Sequence, residues 1–149
     1  MTTQLAPVMR TAFVRCTPER AFTAFTDEMS QWWPLHGHSV FLSDAASVTF
    51  EDGRLVERST TGEENEWGTV LSWEPPHSFA ITWHPGVNKG TDTVLSVSFR
   101  AEDGGTRVHL EHAGWEAFGD KALERRASYD NASGWNAVLA CFTDLFEVG

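Results

Sequence analysis

Hydrophobic and polar residues alternate along much of the chain between residues 48 and 112. In one segment, Phe79, Ile81 and Trp83 occupy every second position before Pro85-Gly86 interrupts the pattern. Because successive side chains of a β-strand point to opposite faces, this period of two predicts strands with one buried face. Turn-forming residues separate the segments, which predicts a meander of antiparallel strands. The predicted strands of this region are 48–51, 54–58, 66–73, 78–84, 93–99 and 108–112.

Two short helices are expected before this sheet region. After a first strand at Met9–Arg15, the pair Thr17-Pro18 favours a helix start, since the hydroxyl caps free N–H groups and proline suits the first turn. This helix is expected over Pro18–Phe25. Asp27 is expected to cap a second short helix, which Pro34 ends.

The C-terminal part of the chain repeats hydrophobic residues with the spacing of a helix. The stripe consists of Trp135, Val138, Leu139, Phe142, Leu145 and Phe146. An upstream extension over residues 120–133 would pass through Gly134, which costs about 1 kcal/mol relative to alanine inside a helix. A helix of about 18 residues would span about 27 Å, enough to cross the sheet.

Charge and composition exclude several classes of function. The chain has 21 acidic and 11 basic residues, a net charge of −10. Because nucleic acids and anionic membranes attract lysine and arginine, we expect no nucleic-acid partner and no membrane insertion. The first twenty residues lack the pattern of a signal peptide, and no run approaches the ~18 apolar residues of a transmembrane helix. These features predict a cytoplasmic protein with a single domain over residues 1–149.

The candidate chemistry is sparse. By strand parity, His112 and Glu57 point inward, where they would form a polar anchor for a ligand, an acid–base pair or a structural pair. His36 and His38 lie on an irregular loop, and His109 lies three strand positions from His112 and so faces away from it. We therefore expect no metal and no cofactor. Catalytic residues are not assigned either.

Several short motifs, taken in order, resemble one family. They are Ala21-Phe22, Phe25-Thr26, Trp32-Trp33-Pro34, His38-Ser39-Val40, Phe50-Glu51, Gly53-Arg54, Glu57, Trp67-Gly68, Val70, Trp73-Glu74-Pro75-Pro76, Trp83-His84, Thr106-Arg107-Val108, His112-Ala113-Gly114-Trp115, Tyr129, Gly134-Trp135 and Val138-Leu139. Over residues 8–147 the chain resembles the SRPBCC (START-like) superfamily, in the branch of homologues of the activator of the heat-shock-protein-90 ATPase. The resemblance implies an α+β helix-grip fold, in which an antiparallel sheet curls around a long C-terminal helix and encloses a cavity.

The resemblance and the parity of the strands together suggest which residues line that cavity. The expected lining is Trp32, Trp33, Val40, Glu57, Trp67, Phe79, Trp83, Leu95, Val97, His112, Tyr129, Trp135, Leu139 and Phe142. Since Trp67 and Val70 have opposite parity, a β-bulge would decide which of the two faces inward. For most of the tryptophans, filling the core is the competing interpretation.

Three functions follow from this interpretation. The principal one is binding or sequestration of a small hydrophobic molecule, such as a lipid or a polyketide, without covalent chemistry. A second is an enzyme similar to the polyketide aromatase/cyclase relatives, with Glu57 or His112 moving protons. A third is an interaction module for a chaperone or another stress-response partner, which requires an exposed apolar patch and a filled interior.

Overall fold

The computed structural model describes residues 5–85 and 93–146. In chain order, the elements are β1 (Val8–Val14), α1 (Pro18–Thr26), α2 (Met29–Trp32), β2 (Ala45–Glu51), β3 (Arg54–Ser59), β4 (Glu64–Glu74), β5 (Ser78–Trp83), β6 (Thr93–Glu102), β7 (Gly105–Ala113), α3 (Ala122–Tyr129) and α4 (Trp135–Asp144). Two short 3-10 segments, Leu42–Asp44 and Trp115–Lys121, precede β2 and α3.

The strands form one antiparallel sheet in the order β1-β7-β6-β5-β4-β3-β2. Each strand from β2 to β6 pairs with the next strand in the chain, and β1 pairs with β7. The sheet curls, and the helices cover its inner face: α1 contacts β6 and β7, α2 contacts β2, and α4 contacts β1 and α2. The predicted meander and the helix-grip architecture are therefore confirmed.

Local signals explain where the first elements begin and turn. The Thr17 hydroxyl accepts a hydrogen bond from the Arg20 backbone N–H, so the predicted start of α1 is confirmed. Asp52 and Gly53 both have positive φ angles, 51° and 76°, as a two-residue hairpin turn requires. The predicted cap at Asp27 is wrong. Its backbone N–H bonds to the Thr23 carbonyl and ends α1, while α2 begins only at Met29.

A bulge in β4 brings two hydrophobic side chains to the interior. Leu55 pairs with Gly68 and Val56 pairs with Glu66, so Trp67 stands between the paired positions. The bulge turns Trp67 into the core, and Val70 still packs against the core from its own strand position. The bulge also explains the glycine after it, because a side chain at Gly68 would collide with the Thr82 carbonyl of the neighbouring strand.

The C-terminal helix is shorter than the hydrophobic stripe suggested. α4 spans 10 residues, about 15 Å, and Leu145 and Phe146 pack on the core just beyond its last turn. Upstream, α3 is a separate helix, and residues 130–134 form a break between the two. The reason is a close approach: Gly134 lies against the Tyr129 backbone, where any side chain would collide.

One part of the core is a group of five contacting rings, which we call the phenylalanine cluster. Its members are Phe22, Phe25, Phe79, Phe99 and Phe142. Their centroids are separated by 5.0 to 6.3 Å where they touch, and all five side chains are buried.

Within the described ranges, none of the helices combines the length and the apolar character that crossing a membrane requires.

Candidate functional site

A cavity of about 420 Å³ lies between the loop after α2, the strands β4 and β5, and the break before α4. It opens to solvent on one side. Its lining consists of Trp33, Gly37, His38, Ser39, Val40, Trp67, Trp83, Pro85, Ser128, Tyr129, Ser133, Gly134, Trp135 and Val138. The volume falls within the range of ligand pockets in proteins, roughly 300–1,000 Å³.

Four of the residues that line this cavity are tryptophans, and we call them the tryptophan wall: Trp33, Trp67, Trp83 and Trp135. Trp33 touches the other three, with centroid distances of 5.3 to 5.9 Å. Trp83 contacts Trp67 at 5.5 Å and Trp135 at 5.3 Å. The four rings therefore form one connected group, with contacting planes tilted by 49° to 79°, contributed by the loop after α2, two strands and α4.

Every indole N–H of the tryptophan wall is bound within the protein. Trp33 donates to the His38 carbonyl at 2.7 Å, and Trp67 donates to the Glu57 carboxylate at 2.9 Å. Trp83 donates to the Tyr129 hydroxyl at 3.1 Å, and Trp135 donates to Nδ1 of His112 at 3.0 Å. Because these N–H groups are satisfied within the protein, the four tryptophans offer the cavity apolar atoms and no free donor.

His112 supports the wall from behind and is held neutral. Its Nδ1 accepts the Trp135 N–H, so its proton lies on Nε2, which donates to Oγ1 of Thr93 at 2.5 Å. Thr93 in turn donates to the Trp83 carbonyl at 3.1 Å. Burial lowers the pKa of His112 to about 3, because the imidazolium would lose its hydration there. Both ring nitrogens are therefore occupied by protein groups.

Glu57 anchors the loop that borders the cavity. This fully buried carboxylate accepts the Trp67 N–H and the backbone N–H groups of Val40 and Phe41, at 2.8 to 3.0 Å. A buried carboxylate is tolerated only when donors replace its hydration, and three donors do so here. Glu57 thus fixes the loop to the sheet and holds one tryptophan of the wall.

A second contact closes the rim of the cavity. Nε2 of His38 donates to the Ser133 carbonyl at 2.6 Å, which joins the loop after α2 to the break before α4. The Ser39 hydroxyl donates to the Leu35 carbonyl and accepts the Leu42 N–H, so the loop is also bonded internally. The rim is therefore built from two irregular segments that a hydrogen bond joins.

Tyr129 lines the cavity, and its hydroxyl is bonded to the tryptophan wall through Trp83. Its ring stacks on Trp135, with centroids 5.8 Å apart and planes 27° from parallel, and it meets the edge of His112 at 4.8 Å. Burial raises the pKa of Tyr129, although the hydrogen bond from Trp83 partly opposes this effect. The phenol therefore stays protonated at neutral pH.

The predicted site residues divide into three groups. Those that line the cavity are Trp33, Val40, Trp67, Trp83, Tyr129 and Trp135. Those that pack in the core outside the lining are Trp32, Phe79, Leu95, Val97, Leu139 and Phe142. The remaining two, Glu57 and His112, are buried behind the lining as hydrogen-bond partners of the tryptophan wall.

Sequence reasoning did not select several residues that border the cavity. His38 and Ser39 belong to a family motif but were not assigned to the lining, and the serines at 128 and 133 lie in segments without periodicity. Val138 was missed as well. It belongs to the hydrophobic stripe of α4 and lies one turn after Trp135, and this spacing is a signal that could have identified it. In residues 5–85 and 93–146, no three His, Cys, Asp or Glu side chains are grouped closely enough to hold a metal ion.

Solved structures with the same fold extend over nearly the whole chain. One is an anthrahydroquino-γ-pyrone synthase, Txn09, solved in a complex; it is 29% identical, has a TM-score of 0.63, and the match covers 97% of this chain and 99% of that one. Another is CalC of Micromonospora echinospora, a self-sacrificing resistance protein, with 24% identity, a TM-score of 0.72 and coverage of 95% and 94%.

A third is the Aha1 dimer of Colwellia psychrerythraea, with 15% identity, a TM-score of 0.65 and coverage of 97% and 98%. The last two likenesses concern the fold alone.

A search of curated proteins found no match. The sequence profile of the activator of Hsp90 ATPase homolog 1-like proteins matches residues 15–147. The chain therefore belongs to the family of activator of Hsp90 ATPase homolog 1-like proteins.

Proposed function

We propose that this protein binds a small, flat and mainly apolar molecule in the cavity bordered by the tryptophan wall. The observation that carries the proposal is that four contacting indoles border an open cavity while their N–H groups are all bound to protein acceptors. Large aromatic faces gain most from contact with another flat ring system.

The charge of the protein and its relatives support the same class of ligand. With a net charge of −10, the protein repels anionic molecules at long range, so a neutral ligand fits better. The synthase that is 29% identical is named for a product with fused aromatic and pyrone rings. From that name we take only the chemical class of the ligand, a compact polycyclic molecule.

The test uses xanthone as a flat aromatic probe and oleate as a lipid probe. At a hundred times its dissociation constant, a ligand adds about 2.7 kcal/mol of stability, which raises the Tm by about 5–10 °C for a chain of this size. We expect xanthone to raise the Tm of the wild-type protein and to have no effect on Val40→Trp, because the larger side chain fills the cavity. Leu71→Trp is the matched control, since Leu71 is 56% exposed and lies outside the lining.

Three results would contradict the proposal. The first is a wild-type melt that neither probe changes. The second is a Val40→Trp protein that responds to xanthone as the wild type does. The third is a response to oleate alone, which would replace the flat aromatic ligand with a lipid.

A second candidate function is formation of a ring within a bound polyketide. The observation in its favour is the likeness to the Txn09 synthase over nearly the whole of both chains. Glu57 and His112 do not favour it as the acid–base pair, because both are buried and already bonded to protein donors or acceptors. The open cavity likewise favours ligand binding over the interaction module, which requires a filled interior.

A further inference from the structure

The side-chain donors around the cavity are nearly all in use. The hydroxyl groups of Ser39, Ser128 and Ser133 donate to Leu35, Arg125 and Asn131 respectively. The indole N–H groups of the tryptophan wall also have protein acceptors. Among the lining side chains that the structure describes, these groups have no free proton to offer a ligand.

The hydroxyl of Tyr129 differs from these groups. It accepts the Trp83 N–H at 3.1 Å, but its own proton has no acceptor within residues 5–85 and 93–146. A phenol oxygen both accepts and donates, so one half of its bonding capacity is unused. His38 does not compete for the same role, because its Nε2 proton is given to Ser133 and its unpartnered Nδ1 is shielded from solvent.

The surroundings of Tyr129 make it a fixed and effective donor. The ring is held between Trp135, Trp115 and His112, with centroid distances of 5.8, 5.5 and 4.8 Å. The bond accepted from Trp83 polarises the hydroxyl, since successive hydrogen bonds strengthen one another. Burial keeps the hydroxyl protonated. In a ligand cavity, a small number of oriented polar groups fixes the orientation of the bound molecule.

We infer that Tyr129 donates its hydroxyl proton to an oxygen acceptor of the bound molecule, so that the cavity selects flat aromatic ketones over hydrocarbons of the same shape. This inference rests on the proposed function and specifies the ligand further. The hydroxyl lies beside the edge of Trp83, so a carbonyl at the rim of a ring system stacked on the wall would meet it. A hydrocarbon of the same shape would leave this donor unpaired.

The test compares xanthone with xanthene, which has the same three-ring frame but a methylene in place of the carbonyl. Dissociation constants are measured by equilibrium dialysis on the full chain. We expect the wild type to bind xanthone about 3- to 10-fold more tightly, the effect of one hydrogen bond between neutral groups. In Tyr129→Phe, xanthone should lose this advantage while xanthene binds as before.

Ser128→Ala is the matched control, because it removes a hydroxyl from the cavity lining that already has an acceptor. It should keep the wild-type preference. Equal binding of both probes by the wild type would overturn the inference and leave the proposed function standing, whereas binding of neither probe would overturn both. A preference that persists in Tyr129→Phe would also overturn the inference.

If Tyr129→Phe does not fold, a measurement on the wild type alone still tests the inference. The carbonyl stretch of ¹³C-labelled xanthone should move to lower frequency on binding, as it does when a carbonyl accepts a hydrogen bond. A stretch at the frequency found in an apolar solvent would contradict the inference.

Discussion

The phenylalanine cluster and the tryptophan wall are neighbours in the same interior, and two adjacent residues at the end of α2 connect them. Trp32 contacts Phe25 and Phe142 of the cluster, whereas Trp33 contacts the other three indoles of the wall. The rings of the cluster have no polar atoms and hold one another by packing alone. Each ring of the wall has in addition a directed hydrogen bond to the protein.

This difference explains why the phenylalanine cluster is closely packed whereas the tryptophan wall borders a cavity. Rings held only by contact collapse onto one another, because a gap forfeits dispersion energy on both sides. A ring fixed by its N–H to a separate acceptor stays in place even when one of its faces has no neighbour. Tryptophan is the residue that joins a large apolar face to such a donor.

The strongest test of the comparison is Phe25→Ala in the phenylalanine cluster. Phe25 is fully buried and touches Trp32, Phe79, Phe99 and Phe142. Removing the ring leaves a sealed hole, so we expect the free energy of unfolding to fall by about 3–5 kcal/mol. Urea denaturation measures it. A loss below 1 kcal/mol would mean that the cluster is not closely packed.

A second test uses pH and acts on the tryptophan wall through His112. Its pKa is about 3 in the folded protein, against 6.5 for the free side chain, so the unfolded chain binds the extra proton first. The stability that neutral His112 contributes is complete above pH 6.5 and is lost as the pH falls toward 3. Between pH 6.5 and pH 5 the loss should be about 2 kcal/mol.

The measurement for this second test is urea denaturation at pH 7 and at pH 5, for the wild type and for His112→Gln. Glutamine keeps one acceptor and one donor but does not titrate, so its stability should fall less over this interval. The rings of the phenylalanine cluster do not titrate either. Identical pH dependence in the two proteins would contradict the role given to His112.

The smallest expected effect is that of Trp83→Phe in the tryptophan wall. The substitution removes the hydrogen bond to Tyr129, yet it enlarges a space that is already open to solvent rather than creating a sealed hole. We expect a loss of about 0.5–1.5 kcal/mol, the net value of one hydrogen bond. If the same urea experiment gives a loss as large as that of Phe25→Ala, the wall is packed like the cluster and the distinction fails.

Much of the fold could be predicted because its signals are local. The Thr17-Pro18 pair and the Asp52-Gly53 turn each act through neighbouring residues, and both behave in the structure as expected. Strand alternation predicted which side chains point inward, Glu57 and His112 included. These properties depend on the chemistry of a few consecutive residues.

The cavity could not be located from strand alternation. Alternation predicts the direction of a side chain but not whether the space in front of it is filled. Leu95 and Val97 face inward as Trp83 does, yet only Trp83 lines the cavity. The break at residues 130–134 was also hidden, since the close approach of Gly134 to Tyr129 depends on the packing of two helices. His38 lies on a loop without periodicity, so its bond to Ser133 left no pattern in the sequence.

The anchoring of the loop by Glu57 has a consequence for how the protein can change over evolution. The carboxylate binds the main chain of Val40 and Phe41, so the hold on the loop is independent of which side chain position 40 carries. Val40 nevertheless lines the cavity. Mutation at this position can therefore reshape the space offered to a ligand while the frame around it is retained, which makes specificity separable from folding.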